Sequence, residues 1–221
     1  MKIYIPYKHT PGEELKFCLR SIEKYLTGYE DVILITDEPP EWYKGNILFH
    51  KDISHRKQLN IISKLFEVKD DKFIMANDDH FLLKSLHINE IKNWYQGTLS
   101  QALNNATGNY YSAINNTLAH FGNIKYFDIH TPAIFTREGI HRTFRLEWGD
   151  NEYVIKSSYF AQMGGESEEI TDCKINRPMS KEAIQDKIKD RTFFSTGNNG
   201  MRMQMIILLN ELYPEKSRYE S

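Results

Sequence analysis

Lys72-Phe73-Ile74-Met75-Ala76-Asn77-Asp78-Asp79-His80 joins an unbroken apolar run to a turn made of an amide, two carboxylates and an imidazole. A continuous run of this length, bounded by turn formers, reads as a strand buried on both faces, which is how strands of a helix-covered parallel sheet are written. In open α/β sheets ligands bind outside the carboxyl ends of the strands. The turn that follows Ala76 falls at such an end, so Asp78 and Asp79 become the first candidates for a site.

Working outward, Lys2–Tyr7 reads as a short buried strand closed by the breakers His9-Thr10-Pro11-Gly12. Leu15, Cys18, Leu19, Ile22 and Leu26 then recur at helical spacing and place Cys18 in the core. Val32-Ile33-Leu34-Ile35-Thr36-Asp37 is a second buried strand, which completes a βαβ unit. Ile47-Leu48-Phe49 reads as a third strand, and a helix over about 56–68 leads back to the strand at 72–76. Residues 85–122, polar and rich in Asn, carry helical patches at Ile88-Ile91-Trp94-Tyr95 and Leu99-Ala102-Leu103 and are expected to form a helical insertion over the site. A loop and helix at 128–145, a helix near 152–163, a polar stretch at 164–182 and a last helix at about 200–213 follow. No repeat, long linker or low-complexity tract divides the chain, so one domain over 1–221 is expected.

Composition narrows the function. With 28 Lys and Arg against 30 Asp and Glu the net charge is −2, which excludes a generally basic nucleic-acid coat. The 28 aromatic residues (12 Phe, 13 Tyr, 3 Trp) exclude disorder and would also supply stacking surfaces to a non-catalytic carbohydrate-binding module. Cys18 and Cys173 are too few for a disulfide scaffold or a cysteine-rich zinc module, which suits a reducing cytoplasm. No apolar run is long enough to span a bilayer or serve as a signal peptide. Walker A, GxGxxG, GxSxG, HExxH and paired CxxC sequences are absent, which counts against the chemistries they serve.

Paired carboxylates at a strand end suit Mg²⁺ or Mn²⁺, and such an ion neutralises the phosphates of a nucleotide. The same pair would serve a metal-dependent nuclease or phosphohydrolase, although no third acid stands beside it. Taken alone, Asp-Asp is equally well read as a solvated turn; Asn77 and His80 beside it shift the balance towards a site. Arg56, Asn60 and Lys64, at i, i+4 and i+8, form one polar stripe that either faces a donor nucleotide or simply faces water. His130, in Asp128-Ile129-His130-Thr131-Pro132, suits a general base or a metal ligand. Arg142 and Arg145, ahead of Glu147 and Asp150, offer a diphosphate clamp or a set of surface ion pairs. Asp150, after Trp148-Gly149, is the competing base. Gly197-Asn198-Asn199-Gly200 enters a helix, where free amides bind an anion or merely cap.

Leu19-Arg20-Ser21-Ile22-Glu23-Lys24-Tyr25, the strand 32–37, Pro40-Glu41-Trp42 and the 72–79 stretch, taken in order, resemble the Stealth-type sugar-phosphate transferases. That family includes capsular polysaccharide phosphotransferases and the lysosomal-enzyme GlcNAc-phosphotransferase. Asp128–Pro132, Phe144-Arg145 and Leu212–Glu220 are similar to later motifs of the family, so the matches are scattered over most of the chain. The resemblance implies a single α/β domain of the glycosyltransferase A type, Rossmann-like, with a mostly parallel sheet flanked by helices. It also implies a nucleotide-sugar donor, Mn²⁺ or Mg²⁺ on Asp78 and Asp79, His130 as a catalytic residue, and Arg145 as a donor contact. Arg56, Asn60, Lys64, Asn77 and Arg142 complete the expected donor site. The chain departs from the family at Ile3-Tyr4-Ile5-Pro6-Tyr7, which lacks an acid, and at Phe193–Asn199, where amides replace an Asn-Asp pair. Transfer of a sugar and transfer of a sugar phosphate therefore both stay open. The acceptor is a glycan or another hydroxylated molecule; the Asn-, Lys- and Ile-rich composition, familiar from phage-encoded proteins, adds hydroxymethylated DNA as an alternative.

Overall fold

The computed structural model describes residues 1–149, 151–197 and 199–221. Its main sheet has five strands: β1 (Ile3–Pro6), β3 (Val32–Thr36), β4 (Asn46–Phe49), β5 (Lys72–Met75) and β9 (Ala133–Thr136). They lie in the order β4-β3-β1-β5-β9; the first four are parallel, and β9 runs antiparallel to β5. Side chains alternate across the sheet as the period of two demands. Ile3 and Ile5 pack with Leu15, Cys18, Leu19 and Ile22 of α1 (Glu14–Tyr25), while Tyr4 and Ile35 pack with Ile62 and Leu65 of α2 (Lys57–Phe66). Helices thus cover both faces, as the uninterrupted apolar strands foretell. Cys18 is wholly buried.

On the α2 face, α5 (Arg137–Phe144) and α6 (Ile155–Met163) complete the layer through Ile140, Tyr159 and Phe160. On the α1 face a smaller sheet, β11 (Lys174–Ile175), β12 (Phe193–Thr196) and β6 (His80–Leu82), packs its Phe81, Phe194 and Ile175 against α1 and α8 (Met203–Leu212). The helix α7 (Lys181–Ile188) joins its two later strands. Two two-stranded sheets remain, β2 (Leu26–Thr27) with β7 (Leu86–His87), and β8 (Asn93–Tyr95) with β10 (Ser167–Glu169).

The expected insertion is helical only in its second half, α3 (Leu99–Leu103) and α4 (Gly108–Phe121). Its first half, with the Ile88-Ile91-Trp94-Tyr95 patch, forms β7, a single 3₁₀ turn at Ile88–Glu90 and β8, because Ile88, Ile91 and Trp94 bury against the smaller sheet rather than along a helix stripe. Nor does the insertion lie over the acidic turn: Ala102, Tyr110 and Ile114 border a neighbouring groove. Strand β4 is an edge, with Phe49 73% and Ile47 43% exposed. Among the described residues no helix is long and apolar enough to cross a membrane.

Residues 213–221 return to the start of the chain. Arg20 grips Glu220 with both arms, at 2.8 and 2.6 Å, Tyr219 stacks on Tyr43, and the Tyr213 hydroxyl donates to the carbonyl of Leu82.

Candidate functional site

Parallel strands wind outward from β1 in both directions, so the order of connection reverses between β1 and β5. At such a point the two flanking crossovers leave a crevice beyond the strands' carboxyl ends. Here the crevice is a cavity of about 330 Å³, bordered by Pro6 at the end of β1 and Lys8 beyond it, by Asp78 and Asp79 after β5, and by Lys57, Asn60 and Lys64 of α2.

The acidic turn is braced from α1. The Cys18 thiol donates to the Asn77 carbonyl at 3.3 Å and the Ser21 hydroxyl accepts the Leu82 amide at 3.2 Å. From the other side the Thr196 amide donates to the Asp79 carbonyl at 3.3 Å. These bonds fix the backbone and leave the carboxylates to the cavity. Burial, and then the charge of Asp79, push the Asp78 carboxyl up to about 7. Oδ1 of Asp79 is buried without a hydrogen-bond partner, and so is Oε2 of Glu14, which also borders the cavity. Buried carboxylate oxygens left unmatched in this way mark a place for a cation.

Among the described residues no three His, Cys, Asp or Glu side chains assemble into a closed metal cage. Two adjacent carboxylates opening on a cavity instead fit Mg²⁺ or Mn²⁺, which prefer hard oxygens and fill their remaining positions with water and substrate phosphates.

Cations stand across the cavity. Lys64, 3% exposed, pairs with Asp52 at 2.7 Å and donates to the Tyr7 carbonyl at 2.8 Å, tying α2 to the end of β1. Lys57, exposed in the first turn of α2, acts electrostatically on Asp78. Asn60 borders the cavity, but its carbonyl oxygen takes the Ile53 and Ser54 amides, both at 3.0 Å, and its amide donates to the Ser54 carbonyl at 2.6 Å. Its side chain is therefore spent on shaping the 53–54 loop.

The other sequence candidates are dispersed. Arg56 donates to the carbonyls of Trp148 and Gly149 and ties α2 to that turn. Asn77 meets Cys18 through its backbone. Arg142 and Arg145 border a separate cavity of about 730 Å³ together with Asp71. Thr136 pairs with Lys72, so α5 starts at the amino end of β5, opposite the acidic turn; the expected diphosphate clamp does not converge with Asp78 and Asp79. Asp150 lies outside the described residues.

His130 sits beside the turn, not on the cavity. Its Nδ1 lies 2.7 Å from Asp172 Oδ2, its Nε2 lies 2.8 Å from Lys174 Nζ, and its ring centroid is 5.7 Å from that of His80. His80 is 2% exposed, has neither ring nitrogen hydrogen-bonded, and has its Nε2 3.7 Å from Asp79 Oδ1. The His130 backbone is clamped from α6. Lys156 Nζ donates to the carbonyls on either side of His130, Ile129 at 2.7 Å and Thr131 at 2.6 Å. Asp128 in return accepts the Lys156 and Ser157 amides at the start of α6. Burial lowers the Lys156 amine to about 8.

Asp172, Lys174, Lys156 and Lys57 were not candidates on sequence. Lys57 had a detectable signal as the first residue of a helix facing a strand end. Asp172 and Lys174 lie in a polar stretch that carries no periodicity and reach His130 only through the β11–β12 register. No family model matches the chain, and no curated protein matches it significantly in sequence.

Proposed function

We propose that this protein is a divalent-cation-dependent transferase that moves a sugar or sugar phosphate from a nucleotide-sugar donor to a hydroxyl. The observation that carries the reading is the Asp78–Asp79 pair, which opens with one orphaned oxygen on a cavity at the crossover point of a parallel sheet. The α/β sheet flanked by helices on both faces agrees with the glycosyltransferase A architecture that the ordered motifs imply.

Asp78 and Asp79 would hold Mg²⁺ or Mn²⁺. When bound, the ion offsets the charge that develops on the departing nucleotide phosphate. Lys57 and Lys8 add positive charge at the cavity wall, while Lys64 holds the wall in place through Asp52 and Tyr7. On the acceptor side His130, oriented by Asp172, is the group on which the proton of the attacking hydroxyl comes to rest.

Incubation with a panel of nucleotide sugars and Mn²⁺, followed by mass spectrometry, tests the reading. One donor is expected to be turned over slowly, and EDTA or Asp79→Asn is expected to abolish the turnover. Retention of full activity in EDTA overturns the metal's role; no consumption or binding of any nucleotide sugar overturns the transferase.

A further inference from the structure

A carboxylate only accepts hydrogen bonds. Asp172 Oδ2, 2.7 Å from His130 Nδ1, therefore assigns the ring proton to Nδ1 and leaves the lone pair of Nε2 pointing at Lys174 Nζ, 2.8 Å away. The basic nitrogen of His130 is thus closed off by an amine and meets no substrate directly. Among the described residues His130 is the one hydrogen-bond partner of Lys174 Nζ, which leaves two of the three N–H bonds of the ammonium unused.

Lys174 stands where His130 does not. Strand alternation buries Cys173 and Ile175 in the core and turns Lys174 and Asn176 the other way, into a groove of about 860 Å³. The Lys174 stem also runs behind Gly197, on the wall of the Asp78–Asp79 cavity: a Cβ on Gly197 would sit 3.5 Å from Lys174 Cε. Asn176 stands beside it, its Oδ1 2.5 Å from the same point, so these two side chains divide the two spaces. The groove presents the amides of Gln96, Gln101, Asn105 and Asn176 and the hydrogen-bonded phenols of Tyr110 and Tyr126, with Glu169 and Asp172 as its acids and Lys174 as its cation. Amides and phenols match a neutral polyhydroxylated ligand. A nucleic-acid backbone asks for several Lys or Arg along its path.

We infer that Lys174 is the residue that exchanges a proton with the reacting hydroxyl, the hydroxyl belonging to a neutral polyhydroxylated ligand in this groove, with His130 and Asp172 behind it as the proton sink. The inference rests on the transferase reading and adds the residue and the ligand class that the reading leaves open. The hydroxyl passes its proton to Nζ as Nζ passes one to His130 Nε2. The oxygen's electron pair forms the new bond to the donor's anomeric carbon or phosphorus, and the bond from that atom to the nucleotide breaks, its pair leaving on the nucleotide phosphate. Lys174 starts and ends as an ammonium, and His130 ends as an imidazolium against Asp172. Desolvation pushes the Lys174 amine below the usual lysine range and eases the relay; Asp79 and Asp172 act in the opposite sense and Lys57 in the same one, while His130 faces the amine directly.

Two measurements on the full chain test this. In the first, trace acetylation by acetic anhydride across pH 6.5–10.5 is read peptide by peptide. Lys174 is expected to react in the native protein and to titrate below the same residue in the urea-denatured chain; an unreactive Lys174, or one titrating as in the denatured chain, overturns the inference. In the second, Lys174→Met is expected to keep Mn²⁺ and nucleotide-sugar binding by calorimetry and to lose about 10²–10⁴-fold in transfer. Lys174→Ala is expected to regain rate with ethylamine but not with ethanol. Transfer by Lys174→Met at the wild-type rate, or glucosylated or otherwise modified duplex DNA as product where cello-, malto- and chito-oligosaccharides are not modified, overturns the inference alone. Failure of the wild type to bind any nucleotide sugar overturns the transferase reading and this inference with it.

Discussion

Replacing Asp78 by Asn removes one of two like charges that the metal-free protein holds side by side. The Asp78 carboxyl is raised from 3.8 to about 7 by burial and by Asp79, roughly a thousandfold in proton affinity. At ~1.4 kcal/mol per decade the ionisation penalty is bounded at about 4 kcal/mol. Solvent reaches the half-buried side chain, and screening reduces the expected figure to about 1–2 kcal/mol. For a chain of this size each kcal/mol moves the melting temperature by about 2–4 °C, so Asp78→Asn is expected to melt about 2–8 °C above the wild type in EDTA at pH 8. The folded state binds more protons than the unfolded one between 3.8 and about 7. Wild-type stability therefore falls as pH rises through that window, and the advantage of the variant shrinks as pH is lowered again. Mn²⁺ inverts the ranking: at a hundredfold excess over Kd it stabilises the wild type by about 2.7 kcal/mol and the variant far less. Differential scanning fluorimetry over pH 4–8, with EDTA or Mn²⁺, reads all of this. If the variant melts below the wild type in EDTA at pH 8, or gains as much from Mn²⁺, the two carboxylates are not an unsatisfied pair awaiting a cation.

Lys156→Met strands the Ile129 and Thr131 carbonyls and is expected to cost about 2–5 kcal/mol in urea unfolding. Because the folded amine titrates near 8, below the unfolded value of 10.5, wild-type stability rises relative to the variant between about pH 8 and 10.5, and below pH 8 the gap is at its smallest and flat; a gap that does not change between pH 8 and 10.5 contradicts the assignment. Arg20→Ala leaves Glu220 buried without its counter-ion and is expected to cost about 3–5 kcal/mol, with Arg20→Lys recovering only part of it; a loss under 1 kcal/mol by chemical denaturation would show the pair to be dispensable. Asn60→Ala opens the 53–54 loop and is expected to lower stability by about 1–3 kcal/mol, so any loss of donor affinity by calorimetry must be compared with Asn60→Asp, which keeps the accepting oxygen.

The strands and helices of the parallel half were legible because each is a closed run: β3 and β5 are uninterrupted apolar segments between breakers, and α1 carries a full apolar stripe. What lay hidden depends on pairing at a distance. β11 has two residues and β10 three, too few for any period to register. β9 runs without a break into the helix-forming Arg137-Glu138, and nothing local states that it is antiparallel; that direction is what carries Arg142 and Arg145 to the far end of the sheet. The acidic turn was legible because its strand is unmistakable. Asp172 and Lys174 were not, since their importance comes from register with β12 and not from their neighbours in sequence.

The Arg20–Glu220 clasp joins residues 200 positions apart. Closing so long a loop precedes any reward from the contacts it makes, which places this topology among the slower folders. On the ribosome, at about 5–20 residues per second, α1 waits about 10–40 s for that partner. During that interval Phe17, Leu19 and Ile22 have no α8 or Tyr213 to cover them. Chaperone dependence and inclusion-body formation are expected to track the translation rate of the later half of the message rather than the equilibrium stability of the finished protein.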